Sequence, residues 1–150
     1  MLALATATIL GGCACTEARE QAGDCFGGLL SRLRAGGYSG SVDCDAIEVR
    51  VEHIGDISTG NAQYEIFSLT YFQKHPAADS RHGGQRILVF ARGSHYVGQY
   101  VLDTPPFFSP RVVSKSIIFD LPPRQGNEIR FDAGPPAETY INENTLALVK

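Results

Sequence analysis

His75, Asp79 and His82 stand within one short stretch, His75-Pro76-Ala77-Ala78-Asp79-Ser80-Arg81-His82. Two imidazoles and a carboxylate form a donor set that zinc accepts, and His95 would arrive from the next hairpin. A metal-dependent hydrolase built on this loop is the chemistry that such a set would support. The spacing matches no defined metal motif, however, and Pro76 with Gly83-Gly84 marks a surface loop. The side chains therefore read first as solvated loop histidines. His53 ends an alternating strand face and reads as a half-buried strand residue rather than a base.

Nucleophilic chemistry has less to build on. No G-x-S-x-G turn occurs, and Gly40-Ser41 and Gly93-Ser94 read as turn residues. Gly83-Gly84 lacks the following helix and Lys that a phosphate-cradling loop needs. Whether any two of the 16 acidic residues meet as an acid/base pair depends on geometry that the sequence does not give. The net charge of −3 is weak and its charges are interspersed, so nothing tracks a nucleic-acid backbone. The sequence assigns no catalytic residue and calls for no cofactor.

Aromatic side chains carry the binding expectation. Phe107-Phe108 sits in a segment framed by Pro105, Pro106 and Pro110, where large apolar groups have no strand face to bury them. Tyr96 and Tyr100 fall on one face of an alternating strand with Gly98 between them. Two rings flanking a bare backbone offer a shallow seat for a sugar ring or a partner's side chain. The plainer alternative folds Phe107-Phe108 back to plug the end of the domain and uses Gly98 to admit a crossing strand.

The N-terminus speaks of location. Met1 to Gly12 holds no charged residue and is made apolar by Leu2, Leu4, Ile9 and Leu10. That run is too short to span about 30 Å of hydrocarbon as a helix, and it suits the apolar part of a secretory signal. Leu10-Gly11-Gly12-Cys13 resembles the lipobox of bacterial lipoproteins, although no Lys or Arg precedes the apolar run. The resemblance implies that residues 1–12 are a signal peptide and that Cys13 is acylated, holding the chain to the membrane in the periplasm or at the outer membrane. Partners would then be the membrane itself and another envelope protein or a glycan.

Cysteine usage agrees with export. All four cysteines, Cys13, Cys15, Cys25 and Cys44, lie in the first 44 residues. No C-x-x-C pair favours zinc. With Cys13 acylated, Cys25 and Cys44 are the natural disulfide in an oxidising compartment, worth roughly 3 kcal/mol by loop closure, and Cys15 is left over.

The elements that must position these residues are mainly strands. After a polar stem over 13–23, Asp24 to Arg34 predicts a short helix with Leu29, Leu30 and Leu33 on one face, capped by Asp24 and stopped by Gly36-Gly37. From there the period changes to two. Ile47, Val49, Val51 and His53 alternate with Glu48, Arg50 and Glu52, and Gly55 to Asn61 predicts a turn. Tyr64 to Gln73 carries apolar groups on both faces and predicts a central strand covered on both sides. His75 to Gln85 predicts a loop. Arg86–Arg92 and His95–Leu102 predict a hairpin across Gly93-Ser94. Val112–Asp120 and Asn127–Asp132 predict a second hairpin, and Thr139–Val149 one or two further strands. A chain of 150 residues with 43% hydrophobic content can bury a core of its own. The expectation is one mainly β domain over 24–150, an antiparallel sandwich or barrel of about seven strands with one short N-terminal helix.

The expected function is an envelope lipoprotein acting as a binding or assembly module. The alternatives are an inhibitor of an envelope-attacking hydrolase that uses Thr104–Pro110 as a plug, and the metal-dependent hydrolase of the His75–His82 loop.

Overall fold

Leucines at helical spacing start the described chain. The computed structural model describes residues 28–40, 48–74, 81–93, 95–102, 108–121 and 126–150. Leu29–Ala35 form α1, with Leu30 and Leu33 fully buried and Leu29 packed partly against the core. Gly28 precedes it at φ 94°, a left-handed conformation that no helical residue adopts, so the described helix begins only after that glycine. Asp24, the expected cap, lies outside the described residues. The stop is where the glycines placed it. Gly37 takes φ 98°, and the amides of Gly37 and Tyr38 turn back onto the carbonyls of Arg34 and Leu33.

Four long strands follow: β1 (Glu48–Ser58), β2 (Gln63–Lys74), β3 (Arg81–Ala91) and β4 (His95–Leu102). They form one antiparallel meander in the order β1-β2-β3-β4. Two expected breaks are narrower than expected, and residues 75–80 of the second lie outside the described residues. The turn expected from Gly55 is strand as far as Ser58, because a bulge between His53 and Gly55 absorbs one residue and the pairing resumes. The loop expected over His75–Gln85 gives way to strand at Arg81. Gly83 and Gly84 do not end β3, since Gly84 lies beneath the Tyr71 ring, where a Cβ would come within 2.6 Å of the hydroxyl. The tight β3–β4 link is as expected, with Gly93 at φ 92°.

The remaining described residues make two small sheets. β5 (Arg111–Val113), β6 (Ser116–Ile118) and β7 (Glu128–Arg130) are ordered β5-β6-β7, and β8 (Glu138–Ile141) pairs with β9 (Asn144–Ala147). The single strand expected over Val112–Asp120 is instead a hairpin. Ser114 adopts φ 56° and reverses the chain, a conformation that the sequence did not advertise with a glycine. The expected pairing of this region with 127–132 holds between β6 and β7. The tail forms two strands, reversed at Asn142 and Glu143 with φ 48° and 64°.

The main sheet is covered on both faces, as the two-sided apolar pattern of β2 required. Phe67 and Leu69 on β2, with Leu88 and Phe90 on β3, pack under Leu33 and Tyr38. On the opposite face Ile66, Ile87, Val89 and Tyr100 meet Ile117, Phe119, Ile129, Phe131 and Ile141 of the small sheets. Each such fully buried side chain contributes roughly 1.5–3 kcal/mol of transfer free energy. The molecule is mainly β and sandwich-like, with one short helix among the described residues.

Candidate functional site

A one-residue irregularity redistributes the aromatic residues named from the sequence. In the β3–β4 ladder Val89 pairs with Gly98, but Phe90 pairs with Tyr96, so Val97 is extra. A bulge of this kind inverts the alternation on one side of it. Tyr96 therefore stands with Phe90 on the helix-covered face and touches Tyr38 edge-on at 5.4 Å between centroids. Tyr100 faces the opposite way, is 0% exposed and donates its hydroxyl to the Pro136 carbonyl at 2.6 Å. The expected pair of rings on one face is not formed. The space above Gly98 is filled by the chain itself: a Cβ there would lie 2.9 Å from Leu148 Cγ and 2.9 Å from the Val149 carbonyl. Val149 and Gln99 exchange backbone hydrogen bonds of 2.7 and 3.0 Å beside it.

Phe108 also takes the plainer role. It is buried with the main core and meets Phe119 edge-on at 6.3 Å. Its backbone is held by the buried Gln85 side chain, whose Nε2 donates to the Phe108 carbonyl at 2.7 Å and whose Oε1 accepts from the Phe108 amide at 3.1 Å. Gln85 Nε2 also reaches Ser68 Oγ at 3.3 Å. A glutamine amide thus substitutes for a strand at the end of the sheet. Phe107 lies outside the described residues.

The other named positions are scattered or undescribed. His75, Asp79, Cys13, Cys15, Cys25 and Cys44 lie outside the described residues, and His82 is placed only as a backbone position of β3 opposite Gln73. His95 is exposed at the start of β4. Among the described residues no three His, Cys, Asp or Glu side chains gather as metal ligands would. No described helix is long and apolar enough to cross a membrane.

Two groupings that the sequence did not announce come out of the sheet geometry. The first is interior. Arg86 projects on the helix-covered face, its guanidinium carbon 5.7 Å from the centroid of the Tyr71 ring. Tyr38 and Tyr96 stand near it, and Tyr38 Oη, Tyr96 Oη and Arg86 Nε have no hydrogen-bond partner among the described residues. Burial raises the Tyr38 pKa, and the Arg86 charge only partly offsets this. Burial and then Tyr38 push Tyr96 up to about 12. For Arg86 burial opposes the charge, but Tyr38 and Tyr71 outweigh it and its pKa rises. This is a fixed cation among phenols, positioned by β2, β3, β4 and the turn after α1. The usable signal was register: Arg86 shares its strand face with Leu88 and Phe90.

The second grouping is on the surface. Residues three apart on a strand normally face opposite ways, but the bulge after His53 turns Asp56 to the same side. His53 Nε2 and Asp56 Oδ1 are 2.8 Å apart, and the His53 ring leans on Phe67 at 5.1 Å. Arg32 of α1 crosses the same ring at 5.9 Å to reach Glu65 at 2.6 Å. Arg50 and Glu52 pair along β1 at 2.6 Å. Sheet-edge side chains of both signs thus line β1 and the adjoining part of β2. His53 and Asp56 are 46% and 64% exposed, so this His–carboxylate pair sits in open solvent rather than in the desolvated setting that tunes a general base. The arrangement is suited to polar recognition. Comparison with protein-family models, with curated proteins and with solved structures gives no match to this chain.

Proposed function

We propose that the chain is an exported, lipid-anchored binding or assembly module of the cell envelope. The observation that carries this reading is the uncharged run Met1–Gly12, whose last three residues form Leu10-Gly11-Gly12-Cys13 with the cysteine that follows. Acylation of Cys13 would tether the domain through the stem 13–23 and leave its body free to meet a neighbour. Three features of the body favour binding over chemistry. Its aromatic candidates Tyr100 and Phe108 are committed to the core. The one close His–carboxylate pair among the described residues is solvent-exposed. Its charged side chains of both signs gather along β1 and the adjoining strand, where they can select a partner by complementarity. In the oxidising compartment this location implies, Cys25 and Cys44 would be joined.

Fractionation of cells expressing the chain tests the proposal. The wild-type protein is expected in the membrane pellet, released by detergent and not by high salt. The Cys13→Ser protein is expected to leave that pellet, since one position carries the lipid. Wild-type protein recovered from the soluble cytosolic fraction, with Cys25 and Cys44 reduced, would refute it.

A further inference from the structure

β1 is an edge strand eleven residues long, and no described strand pairs with its outer side. Long, open edges invite pairing with another chain, and proteins commonly block them with charged side chains (above all Lys), Pro, a bulge or a cover. Glu48–Ser58 contains neither Lys nor Pro. Among the described elements the cover is displaced too. α1 reaches Glu65 on β2 and bonds β4 through Gly36 and Tyr96, while β5 meets β1 at Gly55, beyond the bulge. The segment Val49–His53 therefore presents a flat edge with Val49 and Val51 on one face and Arg50 and Glu52 on the other.

We infer that two copies of this chain join through that edge, β1 against β1, antiparallel and with Val51 on the twofold axis. Charge order together with the length of the paired segment selects the register. With Val51 facing itself, Arg50 of each copy lies opposite Glu52 of the other, and Val49 lies opposite His53. Cross-strand pairs of opposite charge stabilise a ladder and like charges weaken it. Moving the axis to Arg50 sets Arg50 against itself and Glu48 against Glu52. Moving it to Glu52 sets that carboxylate against itself. Half-step registers place Arg50 opposite Val51 and put the two sheets' faces out of alignment. An axis on Val49 would also set Arg50 opposite Glu48, but within β1 that ladder spans only Glu48–Arg50, whereas the Val51 register pairs the whole of Val49–His53, and the bulge at the far end of this segment closes the ladder after His53. The contact is isologous, so it closes as a dimer rather than growing into a fibre. Arg50 and Glu52 now pair within their own strand at 2.6 Å and are exposed, so both can exchange that contact for the one across the axis.

Sedimentation of the full chain in density-matched detergent tests this directly. The wild-type protein is expected to be dimeric at micromolar concentration. Arg50→Glu and Glu52→Arg each bring like charges together twice and should weaken the dimer at least about tenfold. The double variant Arg50→Glu/Glu52→Arg restores both pairs and should restore the dimer. In Arg50→Lys, carbodiimide treatment should join position 50 to Glu52 of the second copy and give a covalent dimer. Far-UV circular dichroism confirms that each variant folds. A monomeric wild-type protein, single variants as dimeric as wild type, or a double variant no better than the singles would each overturn the inference. The edge pairing does not depend on the lipid, so Cys13→Ser protein is expected to dimerise equally, and failure of the anchor leaves this test standing.

Discussion

Replacing Gly98 by Ala should expel the C-terminal segment from the sheet. The added Cβ would stand 2.9 Å from Leu148 Cγ and 2.9 Å from the Val149 carbonyl oxygen. The leucine can swing aside. The carbonyl cannot, because it accepts the Gln99 amide at 2.7 Å, and the Val149 amide returns a bond of 3.0 Å. Losing two backbone hydrogen bonds costs about 0.5–1.5 kcal/mol each. Overpacking adds about 1–3 kcal/mol where the neighbours do not yield. Alanine recovers about 0.5–1 kcal/mol of the entropy that glycine loses in a strand. The net loss should be about 3 kcal/mol, within a span of about 1–5.5 kcal/mol, and a loss of about 3 kcal/mol lowers the melting temperature of a chain this size by roughly 6–12 °C. Urea unfolding and thermal melts measure the loss, and hydrogen exchange at Gln99 and Val149 localises it. In a chain ending at residue 147 the same substitution should become neutral or slightly stabilising. An equal loss in the full and shortened chains, or none in the full chain, would refute the reasoning.

Gln85→Leu leaves the buried Phe108 amide and carbonyl unsatisfied and should cost about 2–4 kcal/mol by urea unfolding, with faster proteolysis near Ser109. His53→Ala and Asp56→Asn, by contrast, disturb an exposed pair and should each change stability by under about 1 kcal/mol in the same assay. Alkali should unfold the protein. Burial raises the pKa values of Tyr38, Tyr96 and Tyr100, so the unfolded phenols ionise first and stability is lost as pH rises above about 10. An ultraviolet titration should show these tyrosines ionising together with loss of near-ultraviolet dichroism, and phenol ionisation complete before unfolding would contradict this.

Much of the architecture was legible because burial on both faces leaves a plain record. The apolar residues on both sides of β2 announced a covered central strand, and Gly93 announced a tight reversal. Gly98 announced a close approach, which proved to be the chain's own tail. What escaped were single-residue events. A bulge adds one residue without changing composition, and one such residue, Val97, moved Tyr96 and Tyr100 to opposite faces. Another carried β1 through Gly55 and set Asp56 beside His53. The reversal at Ser114 had no glycine to mark it. Arg86 among its phenols was hidden for a different reason. It joins strands and a turn distant in sequence, and only register places them together.

Mass spectrometry of the mature N-terminal peptide, taken from protein recovered in the membrane fraction, tests the envelope assignment most directly. A peptide beginning at Cys13 and carrying the mass of a diacylglyceryl group is the expected result. A peptide still beginning at Met1, with Cys13 unmodified, would contradict it.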